Sequence, residues 1–227
     1  MPAVLLDLDG TLVDSNYFHV EAWFRAFAAR DHLVPMARIH RLVRMGADQL
    51  LEELLGEYDE AFEDGWQEQF AKLRDDIPAL PGAADLARVV KERGATVVLA
   101  TSGKPDDVEV LRRTLGADEW IDAAVNSSEV ESSKPEPDIF ARALEVAGAE
   151  PDDAIVVGDT VWDVRAASAC GLPCVALTCG GISAAELVEA GAVAVYRDPE
   201  ALVAALDDSP VGHLLRSSRS QPFPVRW

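Results

Sequence analysis

Positive charge is scarce in this chain. Only 20 Lys+Arg stand against 40 Asp+Glu, a formal charge of −20 over 227 residues. Recognition of nucleic acid and of anionic membrane surfaces rests on clustered cations, so the charge balance argues against both partner classes. Cysteine is equally sparse. Cys170, Cys174 and Cys179 are odd in number, and their C-x3-C and C-x4-C spacings lack the second ligand pair of a structural zinc site. They read as reduced, partly buried thiols. No apolar run approaches the roughly 20 residues of a membrane span. Met1-Pro2 leads directly into an apolar stretch without a signal-peptide pattern, and a cytoplasmic location is the expectation. The sequence leaves the oligomeric state open.

What is present is an ordinary soluble composition, 49% apolar and 26% charged, in a chain long enough for one large domain or two smaller ones. Val4 to Leu8 is a short apolar run ending in Asp-Gly, which reads as a buried strand and a tight turn. From Ser15 the pattern turns helical. Trp23, Phe24 and Phe27, then Ile39, Leu42 and Val43, then Leu50, Leu51, Leu54 and Leu55, then Phe62, Trp66, Phe70 and Leu73 form apolar stripes. Three or four packed amphipathic helices are expected there.

A Pro-Gly-rich linker at Ile77–Gly82 ends that block, and strands and helices then alternate. Strands are expected at Thr96–Ala100, Ile121–Val125, Ala154–Val157, Pro173–Leu177 and Val193–Tyr196, with helices between them. Such alternation specifies an α/β protein, a doubly wound parallel sheet with helices on both faces. The expected division is a core of residues 1–14 and 80–208, an inserted α-helical cap of 15–79, and a tail of 209–227. That tail is mildly basic (Arg216, Arg219, Arg226) and lacks usable periodicity.

In doubly wound sheets, ligands sit at the carboxyl ends of the strands. Four strand ends or adjoining turns here are polar: Asp7-Leu8-Asp9-Gly10-Thr11, Thr101-Ser102-Gly103, Lys134-Pro135, and Gly158-Asp159-Thr160 with Asp163 a helical turn on. Asp7 and Asp9, two apart, would share one face of an extended strand. Crowded carboxylates repel, and a divalent cation removes that cost. With Asp159 they make an oxygen-rich set suited to Mg2+. Asp7 could act as a nucleophile and Asp9 as a general acid and base. Thr101, the Ser102 backbone N–H and Lys134 could hold phosphoryl oxygens, and Lys134 would offset the long-range repulsion of an anionic substrate.

The same residues carry a family resemblance. DLDGTLVDS (Asp7–Ser15), the strand ending in Thr101, Lys134-Pro135 and GDTVWDV (Gly158–Val164) resemble, in order, the four motifs of the haloacid dehalogenase-like superfamily. The helical block after the first motif looks like that superfamily's subclass I cap. The resemblance implies a Rossmann-like core with Asp7 as nucleophile and Asp9 as acid/base. It implies Mg2+ held by Asp7, Asp159, Asp163 and the backbone carbonyl of Asp9. The superfamily's dehalogenases lack the second aspartate, so Asp9 favours a phosphatase acting on a small phosphorylated metabolite through an aspartyl-phosphate. A β-phosphoglucomutase-like phosphomutase and a non-catalytic phospho-receiver are the alternatives. His19 supports the mutase and Thr11 leans against it; receivers lack a cap.

Other roles compete for several of these residues. Asp163 could serve the helix dipole, Lys134 could be a solvated loop lysine, and Thr101 could cap a helix. In the cap, His19 resembles a substrate-contacting histidine, although a histidine at a helix start more often serves packing. Arg44, Met45 and Gln49 would face the site on closure, with Arg44 a contact for phosphate or carboxylate and Lys72 a weaker candidate. Hinges are expected near Asp14 and Leu80.

Overall fold

The computed structural model describes residues 1–130 and 134–217. Arg219 and Arg226 of the expected tail lie outside the described residues. Six parallel strands form one sheet: β1 (Ala3–Leu6), β2 (Thr96–Ala100), β3 (Ala123–Val125), β4 (Ala154–Gly158), β5 (Cys174–Leu177) and β6 (Ala194–Tyr196). Their order is β3-β2-β1-β4-β5-β6, which puts β1 at the centre. Leu5 stands in register with Val98 on one side and Val156 on the other. Every residue of β1 is buried, as expected of a strand covered on both faces.

The two-residue period sorts the strand side chains between two cores. Val4, Leu6, Val97, Leu99, Val157, Val175 and Leu177 face one of them. Helices α5 (Ala83–Glu92) and α6 (Pro105–Leu115) cover it through Leu86, Val90, Leu111 and Leu115. Leu5, Val98, Ala100, Val156 and Ala176 face the other, under α7 (Asp138–Ala147), α8 (Val161–Ala169) and α9 (Ala184–Ala190).

Between β1 and α5 the chain runs through α1 (Asn16–Ala28), α2 (Met36–Leu42), α3 (Ala47–Leu55) and α4 (Glu60–Leu73). These helices bury a cluster of their own, built on Trp23, Phe27, Ile39, Leu50, Leu51 and Phe62. Trp23 and Trp66 stack at 5.1 Å between centroids. The two connecting segments lie side by side, with Asp14 N donating to Pro78 O and Leu80 N to Leu12 O, each at 2.9 Å. Among the described residues no helix is long and apolar enough to cross a membrane.

Three expectations need correction. β1 ends at Leu6, before Asp7, because the chain folds into a turn at Gly10, whose φ is 75°. Gly10 N donates to Val13 O at 2.7 Å and Leu12 N to Leu8 O at 2.8 Å, so Asp9 sits on a loop. β3 begins at Ala123 because the Asp122 side chain, not the backbone there, accepts from Val97 N. The boundary after residue 208 falls too early. Two short helices, α10 (Pro199–Ala204) and α11 (Pro210–Ser217), follow β6, and Leu202, Val211 and Leu215 are buried in the first core. The cysteines are free, with Cys174 buried and the other two half-buried.

Candidate active site

The polar strand ends converge at the carboxyl edge of the sheet. Asp7 follows β1, Asp159 follows β4, Thr101 follows β2, and Asp163 lies in the first turn of α8. One carboxylate oxygen each from Asp7, Asp159 and Asp163 lies within 4.8 Å of the others, and all three residues are buried. Lys134 Nζ sits 2.6 Å from both Asp7 Oδ1 and Asp163 Oδ1. Thr11 Oγ1 lies 3.0 Å from both Asp7 Oδ2 and Asp159 Oδ1.

The supporting residues fix this cluster locally. Thr160 caps α8: its hydroxyl accepts from Asp163 N, while Asp163 Oδ2 accepts from Thr160 N and Oγ1. Asn16 Nδ2, at the start of α1, donates to Asp159 Oδ2 at 2.7 Å and to Gly180 O at 3.1 Å. The loops approach so closely that a Cβ on Gly180 would overlap the Asp159 carboxylate. A Cβ on Gly158 would come to 2.6 Å from that of Asp163.

Asp9 belongs to a separate network. Its Oδ1 accepts from Ser15 Oγ at 2.8 Å and lies 3.0 Å from His19 Nε2. Its Oδ2 accepts from Thr101 Oγ1 at 3.2 Å and faces Arg44 Nη2 at 3.3 Å. His19 is stacked on Phe70, with centroids 4.0 Å apart. An ionised carboxylate only accepts, so His19 Nε2 carries the proton in this contact.

Electrostatics separates the acids. Burial, reinforced by the Asp163 and Asp9 carboxylates, pushes Asp7 up to about 6 against the pull of Lys134 and Arg44. Burial also raises Asp159 well above the usual carboxylate range. Burial opposes ionisation of Asp9 as well, but Arg44, His19 and Ser15 outweigh it and hold that carboxyl well below its ordinary value. Asp163 is likewise lowered: burial works against it, and Lys134 and Thr160 overcome that. Asp7, Asp9, Asp159 and Asp163 are all buried, and the buried fixed cations beside them are Lys134 and Arg44. Two formal negative charges remain, in an all-oxygen donor set. A divalent hard cation such as Mg2+ fits both the charge and the chemistry.

Thr101 does not cap α6; that helix begins at Pro105, and Thr101 Oγ1 instead accepts from Gly103 N at 3.0 Å. The Ser102 hydroxyl is buried without a hydrogen-bond partner. Arg44 is buried at the acids, whereas Lys72 lies away from them and pairs with Glu68 along the exposed side of α4. His19, Arg44, Met45, Gln49 and Ser102 line a cavity of about 420 Å3 between the helical insertion and the sheet edge. Asn16 and Ser15 were not singled out from the sequence. Ser15 and His19 are four apart at a helix start, a spacing that puts both on the side facing Asp9.

Fold and site together define an α/β enzyme whose carboxylate centre lies at the strand ends beneath a helical insertion. Residues 1–171 match the haloacid dehalogenase-like hydrolase family, and the chain belongs to it. A phosphoglycolate phosphatase from Rhodospirillum rubrum is 31% identical over 211 residues, spanning 86% of this chain and 87% of the relative. Validoxylamine A 7′-phosphate phosphatase from Streptomyces hygroscopicus subsp. limoneus is 30% identical over 184 residues, 77% and 84% of the two chains. The crystal structure of a hydrolase from Pseudomonas syringae superimposes with a TM-score of 0.86 at 36% identity, covering 92% of this chain and 99% of the other.

Proposed function

We propose that this chain is a Mg2+-dependent phosphatase that hydrolyses a small phosphorylated metabolite through a phosphoaspartate on Asp7. The observation that carries the reading is the division of the acids. Three buried carboxylates converge with Lys134 on one point, while Asp9 is hydrogen-bonded separately by Ser15, His19 and Thr101, and Arg44 faces both acids of the first motif. One group is built to hold an ion and a phosphoryl group, the other to handle a proton. Relatives named as phosphatases add weight, and a cytoplasmic setting belongs to the same reading.

Asp7, Asp159 and Asp163 would hold the metal, with the Asp9 backbone carbonyl as a further ligand. Bound there, Mg2+ supplies neutralisation of the carboxylates and of the phosphoryl oxygens. An Asp7 carboxylate oxygen attacks phosphorus as the bond to the leaving oxygen breaks, and Asp9 gives that oxygen its proton. Asp9 then takes a proton from water as the water oxygen attacks phosphorus, and the Asp7–phosphorus bond breaks to release phosphate. Lys134 and Thr11 orient the Asp7 carboxylate throughout.

Burial opposes ionisation of Asp9, but Arg44 and His19 hold its carboxyl well below the ordinary value, which suits a base. A phosphoryl dianion is a stronger partner for a guanidinium than a carboxylate already hydrogen-bonded by Ser15, His19 and Thr101. Transfer of Arg44 to the substrate frees Asp9 to bind the proton it must donate. The test is phosphate release from p-nitrophenyl phosphate with Mg2+. Asp7→Asn should abolish it, and turnover at the wild-type rate in that variant would refute the reading.

A further inference from the structure

The mouth of the cavity is charged in a way that the phosphoryl chemistry does not need. Beyond Arg44 its charged lining consists of Asp48, Glu63, Asp107 and Glu136 against one ammonium, Lys104. Glu63 pairs with Lys104 at 3.1 Å, and Asp107 pairs with Arg74. Asp48 and Glu136 are exposed and have no ion-pair partner among the described residues. Asp48 lies in the first turn of α3, where the helix dipole tolerates a carboxylate; Glu136 is in no helix.

Two further groups point to a ligand. Arg44 is only 8% exposed, its Nε has no hydrogen-bond partner, and it lines the same cavity beside Asp7 and Asp9. It marks the end that receives the phosphoryl group. Trp66 Nε1, also on the cavity wall, is buried without an acceptor, a free donor for a ligand oxygen.

We propose, on the basis of the phosphatase reading, that this cavity selects a phosphate monoester whose alcohol half carries an ammonium group and hydroxyls. It discriminates against one bearing a carboxylate or second phosphate. Unpaired exposed carboxylates on the cavity lining set up a local negative field, which attracts a cationic leaving group and repels an anionic one. The aromatic wall and the Trp66 N–H suit the body of a hydroxylated ring.

The test uses three six-carbon phosphates of similar size: glucosamine 6-phosphate, glucose 6-phosphate and 6-phosphogluconate. Each competes with p-nitrophenyl phosphate at near-neutral pH, so its affinity is read whether or not it is hydrolysed. The amine should bind about tenfold more tightly than the carboxylate at low salt, with the neutral sugar between them. High salt should compress the range, because the mouth is exposed to screening. Asp48→Asn/Glu136→Gln should bring the amine and carboxylate together. Equal affinities at low salt, a tighter carboxylate, or no competition by any of the three would overturn the inference while p-nitrophenyl phosphate is still hydrolysed. Loss of that hydrolysis in the wild-type protein would instead overturn the phosphatase reading, and the inference with it.

Discussion

Arg44 Nη2 lies 3.3 Å from Asp9 Oδ2 and 3.8 Å from Asp7 Oδ1, so one guanidinium of the helical insertion faces both acids of the first motif. Arg44 holds this place with a φ of 84°, a left-handed conformation rarely adopted by a residue with a side chain. Strain of that kind concentrates at functional positions. It lies in the connection between α2 and α3 and brings the insertion into direct electrostatic contact with the acids. Substrate entry and the protonation state of Asp9 are thereby linked through one side chain.

Arg44→Gln therefore has two expected effects of opposite sense. The value of kcat/KM should fall about a hundredfold, since a buried charge pair and a phosphoryl contact are both lost. Mg2+ should bind more tightly, because a cation competing for Asp7 is gone. Steady-state kinetics and calorimetric Mg2+ titration read the two separately.

Stabilisation by Mg2+ should depend on pH. Without metal, Asp7 titrates near about 6 rather than 3.8, so its contribution to stability is full below about 4 and is lost as pH rises through about 6. Asp9 and Asp163 act in the opposite sense, stabilising above the ordinary carboxylate range and losing this as the pH falls. Metal binding requires Asp7 ionised, so a proton competes with the ion on the acid side. Asp159, which burial also raises, must ionise as well, so the rise in Tm caused by Mg2+ should be small near about pH 5 and grow as the pH rises through about 6, measured by thermal unfolding with and without the ion.

Gly180→Ala should weaken the ion site without touching a ligand. The added methyl would overlap the Asp159 carboxylate and crowd the Asn16 amide that holds it. Displacing such supporting contacts commonly weakens metal binding by about ten- to a hundredfold. Calorimetric titration with Mg2+ should show that loss while far-UV circular dichroism is unchanged.

Leu215→Ala should destabilise the protein by about 2–5 kcal/mol, the range for removing a buried leucine from a packed core. Leu215 is 2% exposed and belongs to the cluster under β1 and β4. Urea unfolding gives the value. A change near zero would mean that α11 does not pack as described.

Much of the architecture was legible because its pattern is local. β2 has the predicted bounds, since an apolar run closed by Thr-Ser-Gly carries its own end signal. α10 and α11 were missed because each is too short for periodicity to stand out; Asp198 and Ser209 cap them, and Leu202, Val211 and Leu215 bury them against the first core. The approach of Asp7 and Asp159 was legible from strand ends, whereas Asp163 joined the set only through the family resemblance and Asp9, expected beside Asp7, has its hydrogen bonds elsewhere. The place of Arg44 was not legible. The sequence suggested a contact for substrate, whereas its ion pairs with Asp9 and Asp7 depend on how α2 and α3 sit over the sheet edge. Asn16 was invisible for a similar reason: its partners Asp159 and Gly180 lie more than 140 residues away.

The central claim is that Asp7 becomes covalently phosphorylated. It is tested most directly by acid-quenching the enzyme during Mg2+-dependent turnover and mapping the phosphoryl group by peptide mass spectrometry. With p-nitrophenyl phosphate, whose leaving group departs without a proton, the account predicts one phosphoryl group on the peptide containing Asp7, absent from Asp7→Asn and accumulating in Asp9→Asn, where water attack is slowed. Turnover with no phosphorylated peptide under these conditions, or the group on another residue, would contradict it.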